Sequence, residues 1–364
     1  MPPYCAWPWT WKTTAATAPT ASSGPYSNNN SPATRRQTMK GIPLGKTLLG
    51  LALSILAAGA TAAPPDYPSK PIRLLVGYPP GGTTDLLARA LGQQLMQALK
   101  QPVAVENKPG AGGGLGANQV ARAEPDGYTL GVGSAGNLAL NYATYANIPY
   151  DSQKDLTALS LVASVPNVLV VNPATPAKTV PELIAYLKNK KGGGFFASTG
   201  TGNGPHLTGE LFKARTSLNL THVPYQGGAP AITALLGGEV DLLFDNLPSA
   251  LPFIQSGKLR ALAVTSAHRA AILPDVQTMQ EAGIDNFQVD AWFALFGPAA
   301  MDPAAVAEIG AAIRGMSGNT AFLDALKNMG TVPELTDGAA LSKLIAMERQ
   351  RWPALVKQAG IKRE

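Results

Sequence analysis

From Pro71 onward, apolar runs of four to eight residues alternate with stretches whose apolar side chains recur at helical spacing. That alternation marks βα units, in which a strand feeds a helix that packs back on the sheet, so an α/β fold with largely parallel strands is expected. Strands are predicted at 72–78, 102–107, 128–134, 167–173, 194–199, 221–225, 240–246, 259–266 and 289–298. The first helix sets Leu87, Leu91, Leu95 and Leu99 on one face and Asp85, Arg89 and Gln93 off it. After the last strand, three helical patterns begin near Pro303, Thr320 and Asp337, and the final one is expected to stop at Gly360. At 364 residues the chain has room for two folding units. No polar linker separates them, so two lobes would exchange the chain through extended crossovers, for which 164–168 and 287–292 are the candidates. The expected division is 63–165 plus 289–364 for one lobe and 166–288 for the other.

Residues 1–62 read differently. The first 38 lack either periodicity and any acidic residue, and then Lys40 and Lys46 precede an apolar run, Leu48 to Ala58, and the small-x-small pair Ala60 and Ala62. The run is shorter than the ~20 residues a membrane span needs, so a cleaved export signal ending after Ala62 is expected, and with it a periplasmic address. Arg35 and Arg36 resemble a twin-arginine signal; a start at Met39 would leave the general export route. Cleavage also alters the charge argument. Of 29 Lys and Arg, five (Lys12, Arg35, Arg36, Lys40, Lys46) lie in the leader, which leaves 24 against 23 acidic residues and removes the case for nucleic acid as a partner. The single cysteine, Cys5, goes with the leader, so the mature chain has neither disulfide nor thiolate metal site.

Two segments carry candidate chemistry. GYPPGGTTD, 77–85, is a strand end, a proline–glycine turn and a helix start, an arrangement that aims free N–H groups and a positive helix end at one spot. A phosphate loop would need Lys followed by Ser or Thr, where this chain has Thr83, Thr84 and Asp85, so a carboxylate suits it better than a triphosphate. The plainer reading is a turn with Thr83 or Thr84 as the helix cap. FFASTGTGNGPHLTGELF, 195–212, repeats that grammar, with Ser198, Thr199, Gly202, Asn203 and His206 ahead of or inside a helix opening at Pro205.

Weaker signals accompany them. GVGSAG, 131–136, fits the dinucleotide pattern, but no helix, strand and acidic ribose reader follow it in order; Ser134 could still line a cleft. Among His206, His222 and His268 there is neither HExxH nor a GxSxG frame nearby. No metal or cofactor is expected. His222 and His268 read as packing residues, and His206 as either a ligand contact or a structural one. Asp245 ends a strand, where a carboxylate could face a ligand crevice or cap the next helix. An exported serine hydrolase using Ser198 or Ser134 with His206 is the alternative from another class.

Several blocks, among them IRLLVGYPPGGTTDLLAR, ENKPGAGGGLGANQVARAEPDGYTL, HVPYQGGAPAITALLGGEVDLLFDNLPSALPFIQSGKLRALAVTS and RWPALVKQAGIKRE, resemble the extracytoplasmic solute receptors of the tripartite tricarboxylate transporter system, often called Bug receptors. The resemblance runs from about residue 66 to the end. It implies a type II periplasmic binding protein: two α/β lobes joined by two crossover segments, closing as a monomer over a small organic acid and delivering it to membrane transporter subunits. It further implies that Pro80, Gly81, Gly82, Thr84 and Asp85 engage a ligand carboxylate, partly through water, and that Ser198, Thr199, Gly202, Asn203 and His206 supply donors to it. Tyr78, Ser134 and Asp245 complete the expected ligand-binding set. Thr83 stands where the family usually has glycine, and Asn203 where it usually has Thr or Ser, which points away from a standard dicarboxylate. An occupied receptor signalling to another partner is a third possibility.

Overall fold

The computed structural model describes residues 67–358 together with Ile361 and Arg363. The expected leader with its expected cleavage after Ala62, Cys5 and the expected stop at Gly360 lie outside the described residues. The main sheet begins with β1 (Ile72–Val76), β2 (Val103–Asn107) and β3 (Thr129–Ser134), in which β1 runs parallel to both neighbours. Next to β3 come β9 (Asp290–Pro298) and the 16-residue β4 (Leu156–Val171), both antiparallel to what precedes them. Beyond β4 lie β7 (Leu242–Asn246), β5 (Gly194–Ser198) and β6 (Leu220–Pro224), the last two parallel to each other. Two further strands, β8 (Arg260–Val264) and β10 (Val332–Pro333), pair with β4.

The parallel arrangement expected from the βα alternation therefore holds at the flanks, while the middle of the sheet is antiparallel. β4 is the reason. Its burial is nearly continuous, so Leu156 to Pro166 give neither period, and only 167–173 stood out as a strand. The strand changes partners midway: through Pro166 it pairs with β9, and from Asn167 it pairs with β7.

Helices cover the sheet where their apolar faces demand it. α1 (Thr83–Leu99) buries Leu87, Leu91 and Leu95 against Ile72 and Leu74 of β1 and against α8 (Pro303–Met316), forming one core. Asp85, read from the sequence as lying off that face, is in fact only 2 % exposed. α2 (Gly114–Ala121) follows β2. A single π-helical turn, Gly136–Leu140, then runs into α3 (Asn141–Thr144), a segment in which no element is legible from residue spacing. In the second half, α6 (Gly228–Leu236) and α7 (Leu247–Gln255) pack a separate core against β4 and β7, while α4 (Val180–Lys188) precedes β5 and α5 (Gly204–Thr216) packs on β5 and β7. α9 (Thr320–Asn328) and α10 (Gly338–Gln358) end the chain, with α10 packed on β4.

GVGSAG has a packing explanation. A Cβ on Gly131 would stand 2.4 Å from the Phe296 ring of β9, and one on Gly136 would stand 2.8 Å from the Tyr78 hydroxyl. Close contact with a neighbouring strand and a tyrosine, rather than approach to a pyrophosphate, accounts for these glycines.

Candidate functional site

A cavity of about 70 Å3 opens where the strand ends meet the helix starts. At ~10–15 Å3 per water centre this is room for on the order of five waters, the scale of a small acid and far short of a dinucleotide. A second opening of about 320 Å3 adjoins it and shares Tyr78, Pro79, Thr199, Asn203 and Gly227.

Four helices begin at this cavity. α1 starts after Gly82, α6 after Gly227 and α7 after Asn246, and none of the three has a side-chain cap; Gly82, Gly227 and Asn246 all line the cavity. α5 starts after Asn203, which does cap it: the Asn203 Oδ1 accepts from the His206 backbone N–H at 3.1 Å, and its Nδ2 donates to Thr199 Oγ1 at 2.8 Å. Uncapped first turns leave backbone N–H groups available, and each carries the positive end of a helix dipole. Thr83 and Thr84 are not caps. Both hydroxyl-bearing residues are buried and line the cavity, and Thr83 Oγ1 has no hydrogen-bond partner.

Behind the cavity wall a polar frame fixes the loops. Asp85 accepts from the Gly81 N–H at 3.0 Å, from Arg89 Nε at 2.9 Å and from Asn107 Nδ2 at 2.9 Å. Although burial pushes the other way, these bonds hold its carboxyl below the usual range. Gly81 takes φ +80°, a left-handed conformation in which a side chain would be strained. Tyr78 lines the cavity with its hydroxyl bonded to Ser134 Oγ at 2.9 Å and to Gly112 O at 3.0 Å, and burial pushes its phenol up to about 12.

In the second loop, His206 Nδ1 accepts from the Gly202 N–H at 2.9 Å, and the His206 ring stacks on His222 with centroids 3.7 Å apart. Burial depresses both imidazoles, to about 4 for His206 and about 3 for His222, so both are neutral at pH 7. Gly202 needs its φ of +72°, and a Cβ there would stand 2.5 Å from Thr144.

Of the thirteen residues expected from the sequence, Tyr78, Pro80, Gly82, Thr84, Ser134, Thr199, Asn203 and Asp245 line the cavity, whereas Gly81, Asp85, Ser198, Gly202 and His206 stand behind it. The serine–histidine pairing differs from the one expected. Ser198 Oγ lies 2.6 Å from His222 Nε2, not against His206, and Ser198 is fully buried and off the cavity lining. Ser134 is bonded to Tyr78 and to the Gly136 N–H rather than to an imidazole.

Sequence reasoning passed over Gly227, Gly228 and Ala229, although QGGAP repeats the strand–glycine–helix grammar that singled out the first two loops. It also missed Asn167, Asn246 and Asp290, whose meeting depends on how β4, β7 and β9 pair. Asp245, at the end of β7, accepts from the Asn246 N–H at 2.8 Å and from Ser249 Oγ at 2.6 Å, and burial raises it to about 7.

Comparison with known proteins matches this geometry. Residues 87–361 match the family described as tripartite tricarboxylate transporter family receptor. Protein BugT of Bordetella pertussis is 37% identical over 316 residues, covering 86% of this chain and 97% of its own. Among solved structures, an R. palustris protein with adipate superposes with a TM-score of 0.80 at 32% identity, over 82% of this chain and 100% of that one. The periplasmic binding protein BugD superposes with a TM-score of 0.77 at 33% identity, over 82% and 100%. The fold is that of these periplasmic binding proteins, and the chain belongs to the tripartite tricarboxylate transporter receptor family.

Proposed function

We propose that the protein captures a small carboxylate in the periplasm and presents it to membrane transporter subunits of the tripartite tricarboxylate type. The observation that carries this reading is the convergence of the uncapped starts of α1, α6 and α7 on one cavity beside the unpartnered hydroxyl of Thr83. Neutral N–H and O–H donors of this kind bind a carboxylate without a counter-charge, and no Lys, Arg or His lines the cavity among the described residues. The adipate held by the R. palustris relative is consistent with that class. Residues 63–165 with 289–364 would form one lobe and 166–288 the other, hinged at the β4 partner change and at the start of β9. Tyr78, Pro80, Gly82, Thr84, Thr199 and Asn203 would meet the ligand, and Gly81, Asp85, Ser198, Gly202 and His206 would hold their loops in place. A buried Ser198 behind the wall gives hydrolysis no support.

A thermal-shift screen against mono-, di- and tricarboxylates and acidic amino acids tests the reading. A ligand at a hundredfold excess over its Kd adds about 2.7 kcal/mol, which at this size raises Tm by roughly 4–5 °C. A flat response across the whole carboxylate set would sink it.

A further inference from the structure

At the point where β4 changes partners, three neighbouring strands each leave an acceptor oxygen with no donor. Asn167 of β4 is 0 % exposed; its Nδ2 donates to Thr208 Oγ1 at 3.0 Å and to Val289 O at 3.2 Å. The Thr208 hydroxyl spends its own proton on Gly204 O at 2.8 Å, so Asn167 must be the donor in that pair and Oδ1 is its free end. Asn246 sits opposite Asn167 in the β4–β7 register, and its Oδ1 is likewise buried without a partner. On the other flank, Asp290 pairs with Pro166 at the start of β9; its Oδ1 is buried and unpartnered, and its Oδ2 receives only Gln288 Nε2 at 3.3 Å. All three residues line the cavity, as does Asp245. Among the described residues neither aspartate forms an ion pair, and the cavity's remaining acid, Glu348, is matched by Arg351 at 2.9 Å.

Resting on the carboxylate reading above, we propose that this row is the specificity end of the site and selects a protonated amine, so that the ligand is a small amino acid. Its carboxylate lies at the helix starts, and its ammonium lies among Asp290, Asn167 and Asn246. An ammonium offers three donors and no acceptor, which complements the free Oδ1 atoms of Asn167 and Asp290 and the amide oxygen of Asn246. Two aspartates without cation partners attract that charge and repel a second carboxylate, so the same groups discriminate against diacids of equal length.

The test compares butanoate, 4-aminobutanoate, butanedioate and succinamate, and the same four end groups on five- and six-carbon chains, by titration calorimetry at pH 8. At the preferred chain length the amino member should bind at least tenfold more tightly than the diacid or the amide. Asp290→Asn should weaken the amino acid at least tenfold and leave the monoacid within twofold. The order within the unaltered protein decides the matter should the variant fold poorly. A diacid or amide that equals the amine, or an amine affinity untouched by Asp290→Asn, overturns the inference alone. Silence from every compound overturns both it and the carboxylate reading beneath it.

Discussion

Thr83 is the residue whose chemistry is least explained by folding. Its Oγ1 is buried against the cavity with no protein partner among the described residues, so a ligand or a water in the cavity would relieve a desolvation cost of about 1–3 kcal/mol. Thr83→Val keeps the shape and deletes the hydroxyl. It is expected to leave the Tm of the free protein unchanged or slightly higher, while cutting the ligand-induced shift by half or more. A fall of several degrees in the free protein would mean that Oγ1 has a partner within the fold. Asn203 behaves in the opposite way, because its amide is spent inside its own loop on the His206 N–H and on Thr199. The amide oxygen thus serves the cap of α5, and the donor that Asn brings beyond a hydroxyl residue is taken by Thr199.

At the scale of elements, the helix starts divide the labour. α5 is capped by a side chain and braced by the His206–His222 stack, whereas α1, α6 and α7 are left open. Asn203→Ala should therefore cost about 1 kcal/mol, the usual worth of an N-cap. Scanning calorimetry would show this as a Tm lower by roughly 1.5–2 °C, with Asn203→Ser recovering most of it. Equal Tm values for Asn203→Ala and the parent would refute the capping role. Both first loops were legible as helix starts because glycine, proline and hydroxyl residues follow a short apolar strand. Their caps were not legible: Thr83 and Thr84 looked like caps by residue type, but backbone geometry placed Gly82 at that position instead.

Across the whole molecule, buried ionisable groups set opposing pH dependences. Burial raises Asp245 to about 7 and Asp290 to about 6 from 3.8. Each therefore contributes stability that is full below about pH 4 and is lost as the pH climbs through the folded value. His206 and His222 are depressed from 6.5, so their contribution is full above that value and is lost on acidification toward 4 and 3. The two effects oppose each other between about pH 4 and 6.5. In the Asp245→Asn/Asp290→Asn double variant the histidine part remains in that window without the opposition of these two aspartates. Its denaturant midpoint should accordingly drop further between pH 6.5 and 4.5 than the parent's does, and an equal or smaller drop would contradict these assignments.

The strand–helix alternation, the leucine face of α1 and the two glycine loops followed from local spacing, because period and turn chemistry are properties of neighbours in sequence. Long, specific blocks likewise carried the family resemblance. What spacing could not decide was the pairing of β4, a continuously buried strand with no period of its own. Only the folded sheet brings Asn246, Asn167 and Asp290 into adjacent strands, and only there do their oxygens find themselves buried without donors. Register between strands more than 70 residues apart is set by the packing of both halves at once, so the two glycine loops were written in the sequence, while the far end of the cavity was made by the tertiary fold.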